Sequence, residues 1–274
     1  MDNSEDLFPG AHVKYKVTTP GIVCVFEKFS CDVSYDKINR IEIEKSQDGN
    51  PPNFNILITF YLGPVSSLDE AQTICNEKIE DVLNTLSLTL GIPFSSEGII
   101  GCNVIPKAAK PNEMYLNAIF PAFKGGGTAY SDKKLREEEI KEIIDKLPCL
   151  TSYSYTNNKM VLEVFKSALN INNEIAKFMF LYLILMILHG DNKQKQVEEY
   201  IKKIEPNVEL TPDPRNNDKD ETVYTKIRNS ITHDRKISPE QILQEITGKA
   251  LVFKLQKIVQ KKLSEVVGNF KACV

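Results

Sequence analysis

The sequence lacks the ligand pattern of a structural metal site. It contains six cysteines but no Cys-x-x-Cys pair, and it has only three histidines. A structural zinc site needs four clustered ligands, usually arranged as closely spaced pairs. The sequence therefore predicts no metal site, and no motif in it calls for a cofactor.

The sequence also lacks an excess of charge of one sign. Its 34 basic and 37 acidic side chains give a net charge of −3 at pH 7. A strong positive balance would indicate a nucleic-acid coat protein or attachment to a membrane surface. The overall charge therefore names no partner. With 42% hydrophobic and 26% charged residues, the composition excludes a disordered or collagen-like chain.

Long apolar segments are absent as well. The run Phe178 to Leu188, at the end of a long predicted helix that starts at Met160, has eleven apolar residues. A helix needs about 20 to cross a bilayer, so we expect a helix buried in a helical domain and no contact with a membrane. The opening Met-Asp-Asn-Ser-Glu-Asp does not resemble a secretory signal. We therefore expect a cytoplasmic location with reduced cysteines, and Cys75 is expected to be a buried thiol.

Two kinds of residue pattern divide the 274 residues. Apolar and polar side chains alternate in the first third, as in Val13 to Val17, which predicts β-strands. Ser67 and Glu70 have the spacing of a capping box, which predicts one helix in this part. Helical patterns predominate in the second half, where the polar, proline-containing stretch Glu205 to Asp220 is interpreted as a loop. We therefore predict an α+β protein with an N-terminal β-rich domain and a C-terminal all-α helical bundle.

The predicted domains are residues 1–128 and 129–274, with the boundary inside 121–150. Gly125-Gly126-Gly127 lies at this boundary. The glycines are not followed by the Lys-Ser/Thr pair and helix of a phosphate-binding loop, which favours a flexible linker. The N-terminal domain is expected to be an accessory domain that senses a trigger, binds a partner or selects a substrate.

The segment 221–234 contains the residues best suited to chemistry. Asn229 and His233 are four positions apart, so they share a face near the end of a predicted helix, and Arg228 is long enough to join them. A guanidinium can bind two phosphate oxygens, and an imidazole can exchange a proton near neutral pH. No carboxylate cluster accompanies them, which disfavours a two-metal nuclease. The alternative is that Arg228 and His233 only interact favourably with the helix dipole.

Arg228-Asn229-Ser-Ile-Thr-His233 resembles the Arg-polar-xxx-His signature of the HEPN superfamily (higher eukaryotes and prokaryotes nucleotide-binding domains). The run Glu-Thr-x-x-Thr-x-x-Arg-Asn before it resembles bacterial members in particular. The resemblance implies an all-helical C-terminal domain that carries the motif at the end of its penultimate long helix.

The resemblance also implies a metal-independent endoribonuclease that cleaves RNA, such as tRNA or mRNA, by attack of the ribose 2′-hydroxyl. Arg228 would bind the phosphate, His233 would act as acid and base, and Asn229 would position them. Members of this type are commonly homodimers in toxin–antitoxin and antiviral defence systems, where an antitoxin or regulatory protein is a further partner. Other members bind nucleotides or RNA, or act as adaptors, without cleaving.

The charge is distributed unevenly along the chain. The segment 226–271 contains ten basic and four acidic side chains, a net charge of +6, which leaves −9 for the remainder. A basic stripe beside Arg228 would follow an RNA backbone, and the alternative is a solvated helix face that keeps the protein soluble. The candidate RNA-binding residues are Arg235, Lys236, Lys254, Lys257 and Lys261.

Overall fold

The computed structural model describes residues 7–20, 22–24, 28–46, 53–105, 133–135, 138, 140–141, 153–190, 194–213, 216–233 and 237–267. Their contacts divide the chain into two compact units, Met1–Thr156 and Asn157–Val274. The expected boundary at residues 128–129 and the triple glycine lie outside the described residues. Each unit buries its own set of apolar side chains.

The first unit is built on an antiparallel five-stranded sheet with the strand order β3-β4-β5-β1-β6. Its strands are β1 (Gly10–Pro20), β3 (Lys28–Tyr35), β4 (Ile38–Lys45), β5 (Asn53–Leu62) and β6 (Ser95–Ile105). A short strand β2 (Ile22–Cys24) pairs in parallel with β7 (Lys133–Leu135). The strand predicted at Val13 to Val17 is confirmed by β1. Strand β6 was not predicted, because its glycines Gly98 and Gly101 interrupt the pattern.

The sheet buries one face against the helix α1 (Leu68–Leu90). Val13, Tyr15 and Val17 alternate with partly exposed neighbours and are at most 1% exposed, which is the pattern of a half-buried strand. The helix begins as predicted, since Ser67 Oγ accepts a hydrogen bond from the Glu70 backbone N–H. The Glu70 carboxylate accepts hydrogen bonds from the backbone N–H and the hydroxyl of Ser66, whereas a capping box would have it accept from the backbone N–H of Ser67. Cys75 is fully buried, as predicted.

The second half of the chain contains the helices α2 (Tyr153–Leu169), α3 (Glu174–His189), α4 (Gln194–Ile204), α5 (Val223–Thr232), α6 (Pro239–Gly248) and α7 (Leu251–Val267). The long helix predicted from Met160 to Leu188 is in fact two helices, because Asn173 caps α3 through its side-chain oxygen. Helix α3 is also not buried on all sides. Phe180 is 43% and Leu183 is 48% exposed.

The predicted all-α C-terminal domain is wrong. The stretch interpreted as a loop forms an antiparallel hairpin of β8 (Leu210–Asp213) and β9 (Asn216–Thr222). Proline and polar residues are tolerated there because each strand of a two-stranded ribbon has one edge free of ladder hydrogen bonds. Strand β7 also lies within the range predicted to be helical. The description α+β holds in the broad sense of an antiparallel sheet followed by helices, but a HEPN-type all-α bundle does not.

Candidate functional site

Helix α5 carries the candidate site and is fixed at its start by buried residues. Thr222, the last residue of β9, caps the helix by accepting a hydrogen bond from the Thr225 backbone N–H. Tyr224 and Ile227 are at most 1% exposed, so they fix the buried face of the helix. The hairpin therefore leads directly into α5, so that the end of β9 and the first turns of the helix form one continuous corner.

Arg228, Asn229 and Glu221 form a chain of two hydrogen bonds on this corner. Arg228 Nη1 donates to Asn229 Oδ1 at 2.9 Å, and Asn229 Nδ2 donates to Glu221 Oε2 at 2.9 Å. Glu221 is only 6% exposed, whereas Arg228 and Asn229 are partly exposed. A guanidinium carries five N–H donors, so a guanidinium held through one of them can still bind two phosphate oxygens.

A second polar cluster lies behind this chain and holds Thr222 in place. The Thr222 backbone N–H donates to the Glu198 carboxylate of α4 at 3.1 and 3.2 Å. Tyr182 of α3 and Thr225 of α5 join their hydroxyl groups at 2.8 Å. The pKa of Tyr182 is raised to about 12, mainly because the hydroxyl is buried. The positive charge of Arg228 lowers this pKa and the negative charge of Glu221 raises it. Both residues therefore lie within electrostatic reach of this cluster.

His233 lies at the C-terminal end of α5. Its backbone N–H donates to the Asn229 carbonyl at 2.8 Å, and its side chain is exposed. The sequence placed Asn229 beside the imidazole, but the structure directs the Asn229 amide toward Arg228 and Glu221 instead. The site is thus a guanidinium held on the helix and, five residues later, a solvent-accessible imidazole at the end of the helix.

The candidate RNA-binding lysines differ in how they are engaged. Lys254 of α7 forms an ion pair with Glu205 at 3.4 Å, and the other oxygen of that carboxylate accepts from the Tyr224 hydroxyl at 2.6 Å. Lys257 lies over the exposed ring of Phe253, 4.2 Å from its centroid, and Lys261 is exposed. Arg235 and Lys236 lie outside the described residues. The structure therefore leaves Lys257 and Lys261 better placed than Lys254 to meet a phosphate backbone.

Glu221, Thr222 and Glu198 were not predicted as site residues. The Glu-Thr pair stood in the run that carried the resemblance, eight residues before Asn229, but helical spacing alone does not connect the two positions. Glu221 reaches Asn229 because it lies near the end of strand β9, where it pairs with Thr211 just before the start of α5. Glu198 lies 24 residues from Thr222, so the sequence held no local signal for it.

His12 of strand β1 has a side-chain partner in the first unit. The Asn103 side-chain nitrogen lies 2.8 Å from His12 Nε2, and the Tyr61 ring is 5.8 Å away between centroids. Arg40 lies over the other side of this group, 4.1 Å from the Tyr61 centroid. The row Arg40, Tyr61, His12 and Asn103 crosses the sheet along paired positions and is a structural cluster on its polar face.

Comparisons with known proteins give no relative for this chain: no family model, no curated protein and no solved structure matches it. None of the helices in the described residues combines the length and the apolar character that crossing a membrane requires. The same residues contain no group of three or more His, Cys, Asp or Glu side chains that could hold a metal ion. The geometry around Arg228 is therefore the basis for a functional proposal.

Proposed function

We propose that this protein is an endoribonuclease of the HEPN type, which cleaves RNA in the cytoplasm without a metal ion. The observation that carries the proposal is the Arg228 guanidinium, held by Asn229 and Glu221, five residues before the exposed His233. The proposal rests on these motif residues and not on an all-α fold. The signature residues Arg228, Asn229 and His233 remain the candidate catalytic residues.

In the proposed reaction the ribose 2′-hydroxyl attacks the neighbouring phosphorus. The bond from the 2′-oxygen to phosphorus forms as the bond from phosphorus to the 5′-oxygen breaks, which leaves a 2′,3′-cyclic phosphate and a 5′-hydroxyl. Arg228 stabilises the charge that develops on the phosphate oxygens. One His233 imidazole takes the 2′-hydroxyl proton, and an imidazolium returns a proton to the leaving 5′-oxygen.

A homodimer supplies both imidazoles in this scheme. A two-fold contact places the same patch of each copy against the other, so two His233 side chains and two Arg228 side chains can line one groove. This arrangement fits a defence or toxin protein held inactive by an antitoxin or another regulatory protein until it is needed. The partners that the proposal names are therefore RNA, a second copy of the chain and such a regulator.

The test is cleavage of total RNA by the purified full chain in the presence of EDTA. We expect fragments with 2′,3′-cyclic phosphate ends, and we expect His233→Gln and Arg228→Lys to lower the rate at least about a hundredfold, as general acid–base and charge-stabilising groups do. Lys203→Gln, at an exposed position of α4, is the control and should cleave normally. Cleavage that survives His233→Gln, or no cleavage with any RNA or activating partner, would refute the proposal.

The second candidate is a non-catalytic RNA-binding or adaptor protein. The exposed apolar side chains Phe180 and Leu183, three positions apart on α3, favour it, because exposed apolar residues that cluster mark protein contacts. This candidate predicts RNA or protein binding that His233→Gln leaves unchanged, and no cyclic-phosphate product. The EDTA experiment on the wild type therefore separates the two candidates.

A further inference from the structure

We propose that Glu221 is a positioning residue that fixes the Asn229 amide in one orientation and thereby holds Arg228 ready for phosphate. The effect on RNA cleavage depends on the proposed function. The positioning itself depends only on two hydrogen bonds, from Arg228 to Asn229 and from Asn229 to Glu221.

The chemistry of the three groups permits one arrangement. A side-chain amide has an accepting oxygen and a donating nitrogen at opposite ends, a carboxylate only accepts, and a guanidinium only donates. With the Asn229 nitrogen on Glu221, the Asn229 oxygen must face Arg228. A flipped amide would place donor against donor at Arg228 and acceptor against acceptor at Glu221, so the carboxylate selects the orientation that Arg228 needs.

Glu221 itself is held by the fold. It is 6% exposed, it pairs with Thr211 across the hairpin, and the next residue, Thr222, is bonded to Glu198 of α4. The relay therefore connects the flexible Arg228 side chain to a strand and to a neighbouring helix. A guanidinium restrained before its ligand arrives loses less conformational freedom on binding than a free one.

A charge-conserving exchange tests the relay. In Asn229→Asp, two carboxylates face each other, and we expect RNA cleavage to fall about 10- to 100-fold, as it does when a supporting partner of a site is lost. In Glu221→Gln, the amide at 221 can offer either end to Asn229, and we expect a smaller loss. In the double variant Glu221→Gln/Asn229→Asp, the glutamine donates to the aspartate and the aspartate accepts from Arg228, so we expect most of the activity to return.

Recovery in the double variant is the readout that a merely structural role would not give. Two independent destabilising changes would add, whereas a relay that works again after its negative charge has moved from position 221 to position 229 shows that the hydrogen-bond pattern matters. Glu209→Gln is the matched control, because Glu209 is an exposed acid in the same unit, paired with Lys249, and should leave cleavage unchanged. A double variant no better than Asn229→Asp would overturn the proposal.

NMR of the Arg228 side chain separates this inference from the proposed function. We expect a resolved, slowly exchanging Nη1–H signal for Arg228 in the wild type and in the double variant. In Asn229→Leu, which removes the acceptor, and in Glu221→Ala, which removes the group that orients it, we expect a signal like that of a free arginine. If the wild type cleaves no RNA but these signals behave as expected, the proposed function fails and the positioning stands. If Arg228 gives the same signal in every variant, the positioning fails whatever the activity.

Discussion

The three histidines lie in three different surroundings, which makes single-residue titration informative. His12 is partly buried on the sheet beside Asn103 and Tyr61, His189 ends α3 with the Tyr200 ring 5.2 Å away, and His233 is exposed at the end of α5. Because the chain has only three histidines, the NMR signal of each imidazole can be assigned by substituting one histidine at a time. The same residue type therefore serves as a structural group in the first unit and as the candidate proton carrier in the second.

His12 should make the stability of the first unit depend on pH. Burial, followed by the positive charge of Lys14, lowers the pKa of His12 below its ordinary 6.5, and Glu42 opposes them. Below about pH 6.5 the unfolded chain takes up a proton that the folded chain resists, so the free energy of unfolding falls as the pH falls through the folded pKa. The stability contribution is fully present above about pH 6.5.

Two measurements check this prediction. The His12 ring signals in a ¹H–¹³C spectrum should titrate at lower pH than a model peptide. Urea unfolding of the variant His12→Gln, which keeps a hydrogen-bonding group beside Asn103, should depend less on pH between about 6.5 and 5 than that of the wild type. A His12 titration at or above 6.5 would contradict the prediction.

At the level of helices and strands, the sequence predicts features that depend on neighbouring residues, such as helix caps. It does not predict contacts between segments that are distant in the chain. The cap predicted at Ser67 forms, because a cap depends on residues within one turn. The hairpin of β8 and β9 was missed because its strands are polar and gain their pairing partner only across a turn. The candidate site divides in the same way, since Arg228, Asn229 and His233 lie on one helix end, whereas Glu198 reaches Thr222 from another helix.

Helix α1 contains a polar side chain whose burial nothing local explains. Asn84 lies nine positions after Cys75, on the face opposite the sheet, yet it is 1% exposed. Both its side-chain oxygen and nitrogen are buried without a hydrogen-bond partner. A buried amide in this state costs about 1 to 3 kcal/mol, and an apolar side chain of similar shape avoids that cost.

We therefore expect Asn84→Leu to raise the free energy of unfolding by about 1 kcal/mol or more, since leucine is close to asparagine in shape and is also the better helix former. Thermal and urea unfolding of the full chain measure the change. Thr73→Leu, a change at an exposed position of the same helix, controls for added hydrophobicity and should change stability little. A lower stability for Asn84→Leu would show that the amide has a polar role in the folded protein.

In the folded protein, ion pairs neutralise part of the positive charge of the segment 226–271. Acidic residues from outside the basic segment pair with its lysines, as Glu205 does with Lys254 and Glu209 with Lys249. Within the segment, Lys226 and Lys249 both pair with Glu245. Burial alone would raise the pKa of the Glu245 carboxyl, but the two lysines lower it below its usual value. The net charge of +6 therefore overstates what RNA would meet.

This partial neutralisation sets the expected salt dependence of RNA binding. With Arg228, Lys257 and Lys261 as the phosphate contacts, the logarithm of the affinity for a single-stranded 2′-O-methyl oligoribonucleotide should fall with the logarithm of salt with a slope of about −2, or about −0.7 per contact. Fluorescence anisotropy of the full chain between about 50 and 300 mM salt measures it. The 2′-O-methyl group keeps the phosphates but removes the attacking hydroxyl, so binding is measured without cleavage.

The variant with both Lys257→Ala and Lys261→Ala should reduce the slope to about −0.7, because one phosphate contact remains. Lys195→Ala, at an 88% exposed position of α4, is the control for a loss of positive charge elsewhere and should leave the slope near its original value. A slope steeper than about −4 would mean that ion-paired lysines such as Lys254 exchange their carboxylate for phosphate. An unchanged slope in the double variant would place the RNA backbone away from α7, so that the basic residues of this helix would serve solubility alone.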